Sequence, residues 1–391
     1  MKLLTLLLSF ATILSVSAQT PDVKDFVASA TQRGTEPVDY IFRLFEQSDI
    51  VVIGERDHRD TTQYELILDI LGDPRFAERV GYVYTEVGCV NRTDDVNRLI
   101  KNRSLSDDEF NEELYSYLRK GEVFYTLWEK YNRVQFLKGL HKINRDSRRK
   151  ITLGLTDCDF AWEDVDSAQE YLDIYNGPAC DYRDSTMAAN FAKMYAKQRP
   201  LKGKRKALII TNQPHATNAA FAKRDYLRQG RWLKNLFGEQ RVKIVMLNWA
   251  EYRLFDGRRM PLVADGKWDA AFEMLGCKPF GMDIQDTPYG ATPYADPAYG
   301  NLLWQEIADG IIYYKPYYET VLAAGVRGIV DKEFEEEFMR RTNIFYEAMG
   351  LPKTSLSDAK SSYDGFAAVE GTFPQKAEEV KAQIRSLIPD K

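Results

Sequence analysis

The chain is poor in the side chains that carry most chemistry at neutral pH. It has 3 histidines and 4 cysteines in 391 residues. The cysteines, Cys89, Cys158, Cys180 and Cys277, form no CxxC pair, which excludes a zinc ribbon and a thioredoxin-like motif. There is no GxSxG turn to present a serine nucleophile and no HExxH helix to grip a catalytic zinc. Charge of one sign is also lacking: 53 basic against 58 acidic residues leave a net charge of −5, no electrostatic footprint for nucleic acid. Lys202-Gly203-Lys204-Arg205-Lys206 reads as a solvated strand entry. Repeats and linker-like stretches are missing, so residues 19–391 read as a single domain.

Long apolar runs are confined to the start. Met1-Lys2, the run Leu3 to Leu8 and the small-residue exit Val16-Ser17-Ala18 have the layout of a secretory signal peptide over 1–18, with cleavage after Ala18. The run is too short to span a bilayer, and nothing later approaches one. The expectation is a secreted or periplasmic protein without a membrane span. In that oxidising setting four cysteines allow one or two disulfides. Cys89 and Cys158 both follow expected strands, so a bridge there would brace the same edge of the sheet; two buried thiols are the alternative.

What is present is a core. Apolar residues make up 44% and aromatic residues 13% of the chain, enough for a large α/β domain. Ile50-Val51-Val52-Ile53 reads as a strand buried on both faces, with a helix from Thr61 to Leu71 behind it. Further strands are expected at 81–88, 151–157, 206–211, 242–247 and 309–314, separated by helical segments. The fold class is therefore α/β: a mostly parallel sheet flanked by helices. A charged helical insertion is expected after the second strand, over about 91–149, where Ser106-Asp107-Asp108-Glu109 is a capping box. Residues 281–300, rich in tyrosine, proline and glycine, read as an ordered flap or pocket wall.

Polar groups recur where these strands end. Gly54-Glu55-Arg56-Asp57-His58 follows the first, Glu86 closes the second, Asp157-Cys158-Asp159 the third, and Asn212-Gln213-Pro214-His215 the fourth. The carboxyl edge of an open parallel sheet is where ligands bind. Two of the three histidines fall on it, and an imidazole beside carboxylates serves as general base or metal ligand. Singly, each group has a plainer role: Glu55 and Glu86 as caps or loop-amide acceptors, Asp157 or Asp159 as a turn residue, His58 and His215 as loop histidines. Jointly these plain roles would all have to coincide at one edge. His141, beside Leu140, reads as an ordinary helix residue.

Gly54-Glu55-x-x-His58 after an apolar strand, Glu86, Gly154-x-x-Asp157 and the strand leading to His215-Ala216 resemble the erythromycin esterase and ChaN-like superfamily, over roughly 50–247. The resemblance implies His58 as the base for ester, lactone or amide hydrolysis, with Glu55 and Glu86 lining the site. The chain departs from the esterases at Asn212, where they usually carry a second histidine. The expected catalytic set is His58, Glu55, Glu86 and His215, acting on a small-molecule substrate. His215 would be acid or positioning group, Arg56 would stabilise an oxyanion, and Asp157, Asp159, Asn212 and Tyr289 would contact substrate. No cofactor follows from the residues. A divalent metal on His58, Glu86 and His215, or haem with His215, Tyr289, Tyr294 or Tyr299 as axial ligand, is the competing reading. Sequence leaves the substrate and oligomeric state open.

Overall fold

The structure, a computed structural model, describes residues 21–121, 123–124, 130–220, 226–248, 262–296, 299–323, 325–364, 372–373 and 377–389. The expected signal peptide lies outside these residues.

Seven strands form the main sheet: β1 (Ile50–Glu55), β2 (Tyr82–Cys89), β3 (Thr152–Asp157), β4 (Ala207–Asn212), β5 (Val242–Leu247), β6 (Phe280–Asp283) and β7 (Gly310–Tyr313). Their order is β3-β2-β4-β1-β5-β7-β6, and every pairing is parallel except that of β6 with β7. The expected class is therefore observed, with an antiparallel edge strand added. β6 occupies the start of the expected flap, and Tyr289 further along it is packed into the core rather than projecting. Tyr289 is fully buried, edge-on to Phe26 and Trp268 at ring-centroid distances of 4.9 and 5.0 Å.

Alternation within β1 explains the two-sided core. Val51 and Ile53 join one apolar cluster with Leu208, Ile210 and Val245, while Ile50 and Val52 join the other with Ile209, Ile244 and Met246. A strand with side chains alternating between two covered faces must be apolar throughout, and each such side chain contributes about 1.5–3 kcal/mol of burial. The first cluster is covered by the Pro37–Gln47 and Thr61–Gly72 helices and by the insertion, whose helices run Thr93–Ile100, Asp107–Lys120 and Tyr131–Asp146. Helices Val23–Arg33, Arg183–Lys197, Gln229–Phe237 and Lys267–Met274 cover the second.

Gly54 is fixed by crowding. A Cβ there would stand 2.3 Å from Met246 Sδ and 3.1 Å from the Ala216 Cβ, so β1 turns into its functional loop only without a side chain at this point. In parallel register Gly54 lies opposite Thr211 and Glu55 opposite Asn212. The ends of β1 and β4 are thus level.

Candidate functional site

At that level edge the loop after β1 is clamped first. Arg56 is buried, its Nε 2.6 Å from Asp60 Oδ2, and it donates to Thr62 Oγ1 (2.8 Å) and the Asn248 carbonyl (3.1 Å). Asp60 in turn caps the Thr61–Gly72 helix by accepting from the Thr62 amide. The expected oxyanion role of Arg56 is thereby corrected: its guanidinium is consumed in shaping the loop. The clamp turns His58 back on its own strand, and its Nδ1 lies 2.7 Å from Glu55 Oε1. Tyr64, one turn into the following helix, donates to Glu55 Oε2 at 2.9 Å.

A second pair mirrors the first. His215 sits on the short Gln213–Ala216 turn after β4, with its Nδ1 2.8 Å from Asp184 Oδ1. Asp184 also accepts from the Gln229 amide (2.8 Å) and from Arg228 Nη1 (3.2 Å). Between the pairs stands Glu86. Its Oε1 is 3.7 Å from His58 Nε2 and 3.6 Å from His215 Nε2, while its Oε2 accepts from Thr211 Oγ1 (2.8 Å) and the Asn212 amide (2.7 Å). Arg183 completes the group. It donates from Nε and Nη2 to the two Asp157 oxygens, both at 2.8 Å, and its Nη2 is 3.4 Å from Glu86 Oε1. Its Nη1 lies 3.4 Å from His215 Nε2.

Glu55, His58, Glu86, Asp157 and His215 therefore meet, brought by four strands. Asn212 joins through its backbone, and its side chain donates to the Arg56 carbonyl. Asp159 does not join; it is exposed. Tyr289 does not join either; it is buried in the core. Arg183 and Asp184 were not foreseen. They open the helix expected to begin at Ser185, and the adjacent Arg-Asp pair in a first turn was the available signal.

Burial opposes charge on His58, but the Glu55 and Glu86 carboxylates outweigh it and hold the imidazole well above its ordinary value. Burial would raise Glu86, yet His215, His58 and Arg183 drive it well below the usual carboxylate range. Asp184 is lowered against its burial by His215, Arg228 and the Gln229 amide. His215 is held at Nδ1 by Asp184, and its Nε2 faces both Arg183 Nη1 at 3.4 Å and Glu86 Oε1 at 3.6 Å.

Carboxylates on both Nδ1 atoms are the usual support for metal-bound histidines. The ligand set nevertheless does not suit an ion, because Arg183 brings positive charge to within 3.4 Å of both Glu86 Oε1 and His215 Nε2. Among the described residues no group of three His, Cys, Asp or Glu side chains is placed to hold a metal. Two of the tyrosines named as haem ligands are engaged otherwise. Tyr289 is enclosed by aromatic rings, and Tyr299 Oη accepts from Arg228 Nε at 2.7 Å. The cavity lined by Glu55, His58, Tyr64 and Arg133 measures about 10 Å³, room for about one water.

No family model and no curated protein matches the chain. Solved structures are similar in fold. An erythromycin esterase mutant in its open conformation aligns at TM-score 0.47 and 11% identity, over 72% of this chain and 97% of that one. A succinoglycan biosynthesis protein aligns at TM-score 0.46 and 11% identity, over 76% and 98%. The haem-binding ChaN of Campylobacter jejuni aligns at TM-score 0.35 and 10% identity, over 71% and 92%.

Proposed function

We propose that the chain is an exported hydrolase that cleaves an ester, lactone or amide with water. The observation that carries this reading is the pair of carboxylate-backed imidazoles, Glu55–His58 and Asp184–His215, whose Nε2 atoms approach one oxygen of Glu86 at 3.7 and 3.6 Å. Two imidazoles, each backed by a carboxylate and facing one point, supply the pair of proton carriers that acid–base catalysis requires.

His58 is the imidazole that two carboxylates hold protonated, so we assign the roles in the reverse of the order expected from sequence. His215, backed by Asp184 at Nδ1, takes a proton through Nε2 from water as the water attacks the carbonyl carbon. Arg183 lies beside the attacking position and offsets the negative charge that develops on the carbonyl oxygen. His58, held as imidazolium by its two carboxylates, gives its proton to the departing alkoxide or amine. The proton gained by His215 then restores His58 as products leave. Glu86 stays ionised throughout and keeps both rings aimed at one point.

A panel of activated esters, lactones and amides assayed with the mature chain tests this. His58→Ala and His215→Ala are each expected to lower kcat/KM by about 10²–10⁴, and Arg183→Gln by about 10²–10³. Hydrolysis unchanged in both histidine variants would reject the reading. Export is tested separately: amino-terminal sequencing of protein recovered outside the cytoplasm should begin at Gln19.

A further inference from the structure

Cys158 and Cys180 have no part in the proposed chemistry, yet they lie on the two segments that carry Asp157 and Arg183. Cys158 directly follows Asp157, and its amide donates to Asp157 Oδ1 at 2.8 Å. It is fully buried in an apolar cluster with Phe160, Trp162 and Tyr171, against which Cys180 packs. Cys180 lies on the Pro178–Asp181 turn, three positions before Arg183, and is partly exposed. The Cys158 thiol donates at 3.1 Å to the carbonyl of Ala179, the residue next to Cys180. Both are thiols in this structure. Of the two alternatives read from sequence, a Cys89–Cys158 bridge or two buried thiols, the structure has the buried thiols, and the segment against which the Cys158 thiol rests is the one that carries Cys180.

We propose that Cys158 and Cys180 are a dithiol/disulfide pair which, when oxidised, pins the Arg183 segment to the end of β3. The inference rests on the proposed hydrolytic site only for its effect on activity. The oxidant is an external disulfide of the thiol-exchange class. Cys180, the accessible member, attacks one sulfur of that disulfide as thiolate and releases one external thiolate. Cys158 then loses its proton and attacks the Cys180 sulfur of the mixed disulfide, releasing the second. Two electrons pass to the external pair, and the two cysteine protons end on the released thiolates or in solvent. Hydrogen bonding from Cys158, with Arg183 nearby, lowers the Cys180 thiol against the effect of its burial, which suits it to attack first. Closing a roughly twenty-residue loop restricts the unfolded chain as well as the segment before Arg183.

The test is to equilibrate the full mature chain in glutathione buffers of stepped ratio, trap thiols by alkylation and map peptides by mass spectrometry. A 158–180 linked peptide that appears with oxidised glutathione and disappears with reduced glutathione is expected. Amide exchange across 178–184 should slow by roughly tenfold on oxidation, and this change should vanish in Cys158→Ser and Cys180→Ser. Full alkylation of both cysteines under oxidising buffer, or a linked peptide that joins Cys158 to Cys89 instead, overturns the proposal. So does a 158–180 bridge that leaves exchange at 178–184 unchanged. None of these readouts needs a substrate, so failure here is distinct from failure of the hydrolase reading.

Discussion

Tyr64 stands one step behind the imidazole it helps to control. Its hydroxyl donates to the Glu55 oxygen that does not face His58, and burial beside that carboxylate keeps the phenol well above its ordinary value and protonated. Removing the donor leaves Glu55 a stronger acceptor for the His58 proton. In the proposed mechanism the acid form of His58 is the working form, so activity is expected to fall as pH rises through its elevated value. In Tyr64→Phe that alkaline limb should move upward by roughly 0.5 in pH, as expected for one lost hydrogen bond of about 1 kcal/mol. A pH–rate profile checks this; a purely structural tyrosine would lower kcat without moving the limb. The same scale explains why Arg56 misled and Arg183 was missed. Neighbouring positions in sequence placed Arg56 beside His58, but Asp60, Thr62 and the Asn248 carbonyl supply a buried partner set that a loop cation satisfies before any ligand does.

Elements position the second histidine by close approach. A Cβ at Gly230 would lie 1.9 Å from the Ala216 carbonyl oxygen, so the Gln229–Phe237 helix presses its first turn onto the turn that carries His215. The same helix presents the Gln229 amide to Asp184. Gly230→Ala is expected to destabilise the chain by about 1–3 kcal/mol through overpacking and to reduce activity by displacing His215 from Asp184. Urea unfolding and kcat measured on one preparation check both parts. Strand positions were readable because β1, β4 and β5 are dominated by β-branched and aliphatic residues and β2 opens with aromatic and β-branched residues. β6 was not: its four residues, Phe280–Asp283, include a glycine and carry no alternation of their own. The helix start at Arg183 was hidden in the same way, since Tyr182 makes no side-chain cap. Fold class and three of the strand-end carboxylates were thus legible locally, whereas Arg183 and Asp184 reach the site only through the packing of a helix against β3.

Across the whole molecule, buried ionisable groups pull stability in two directions with pH. Glu86 and Asp184 are lowered in the fold, so their contribution is present above about pH 4 and is lost as pH falls through their folded values. His58 is raised, so its contribution is complete below about pH 6.5 and fades as pH climbs through its folded value. Asp269, enclosed beside the second core cluster, is pushed up to about 7 by burial; it adds no pH-dependent cost while protonated in both states and destabilises progressively from about pH 4 to 7. Thermal melting across pH 3 to 9 should therefore peak on the mildly acidic side. Asp269→Asn should flatten the decline toward pH 8, recovering on the order of a few kcal/mol there. An unchanged slope in that variant would show that Asp269 ionises in the fold as it does in water.

Glu86 is both rivet and counter-ion: one oxygen joins the end of β2 to the Thr211 hydroxyl and the Asn212 amide, while the other faces the two rings. Anyone seeking an inert control protein should therefore leave that carboxylate alone, because its removal would unfasten neighbouring strands and blank the chemistry in one stroke. Neutralising an imidazole instead keeps the scaffold bolted together, so any lost turnover can be blamed on the missing proton carrier.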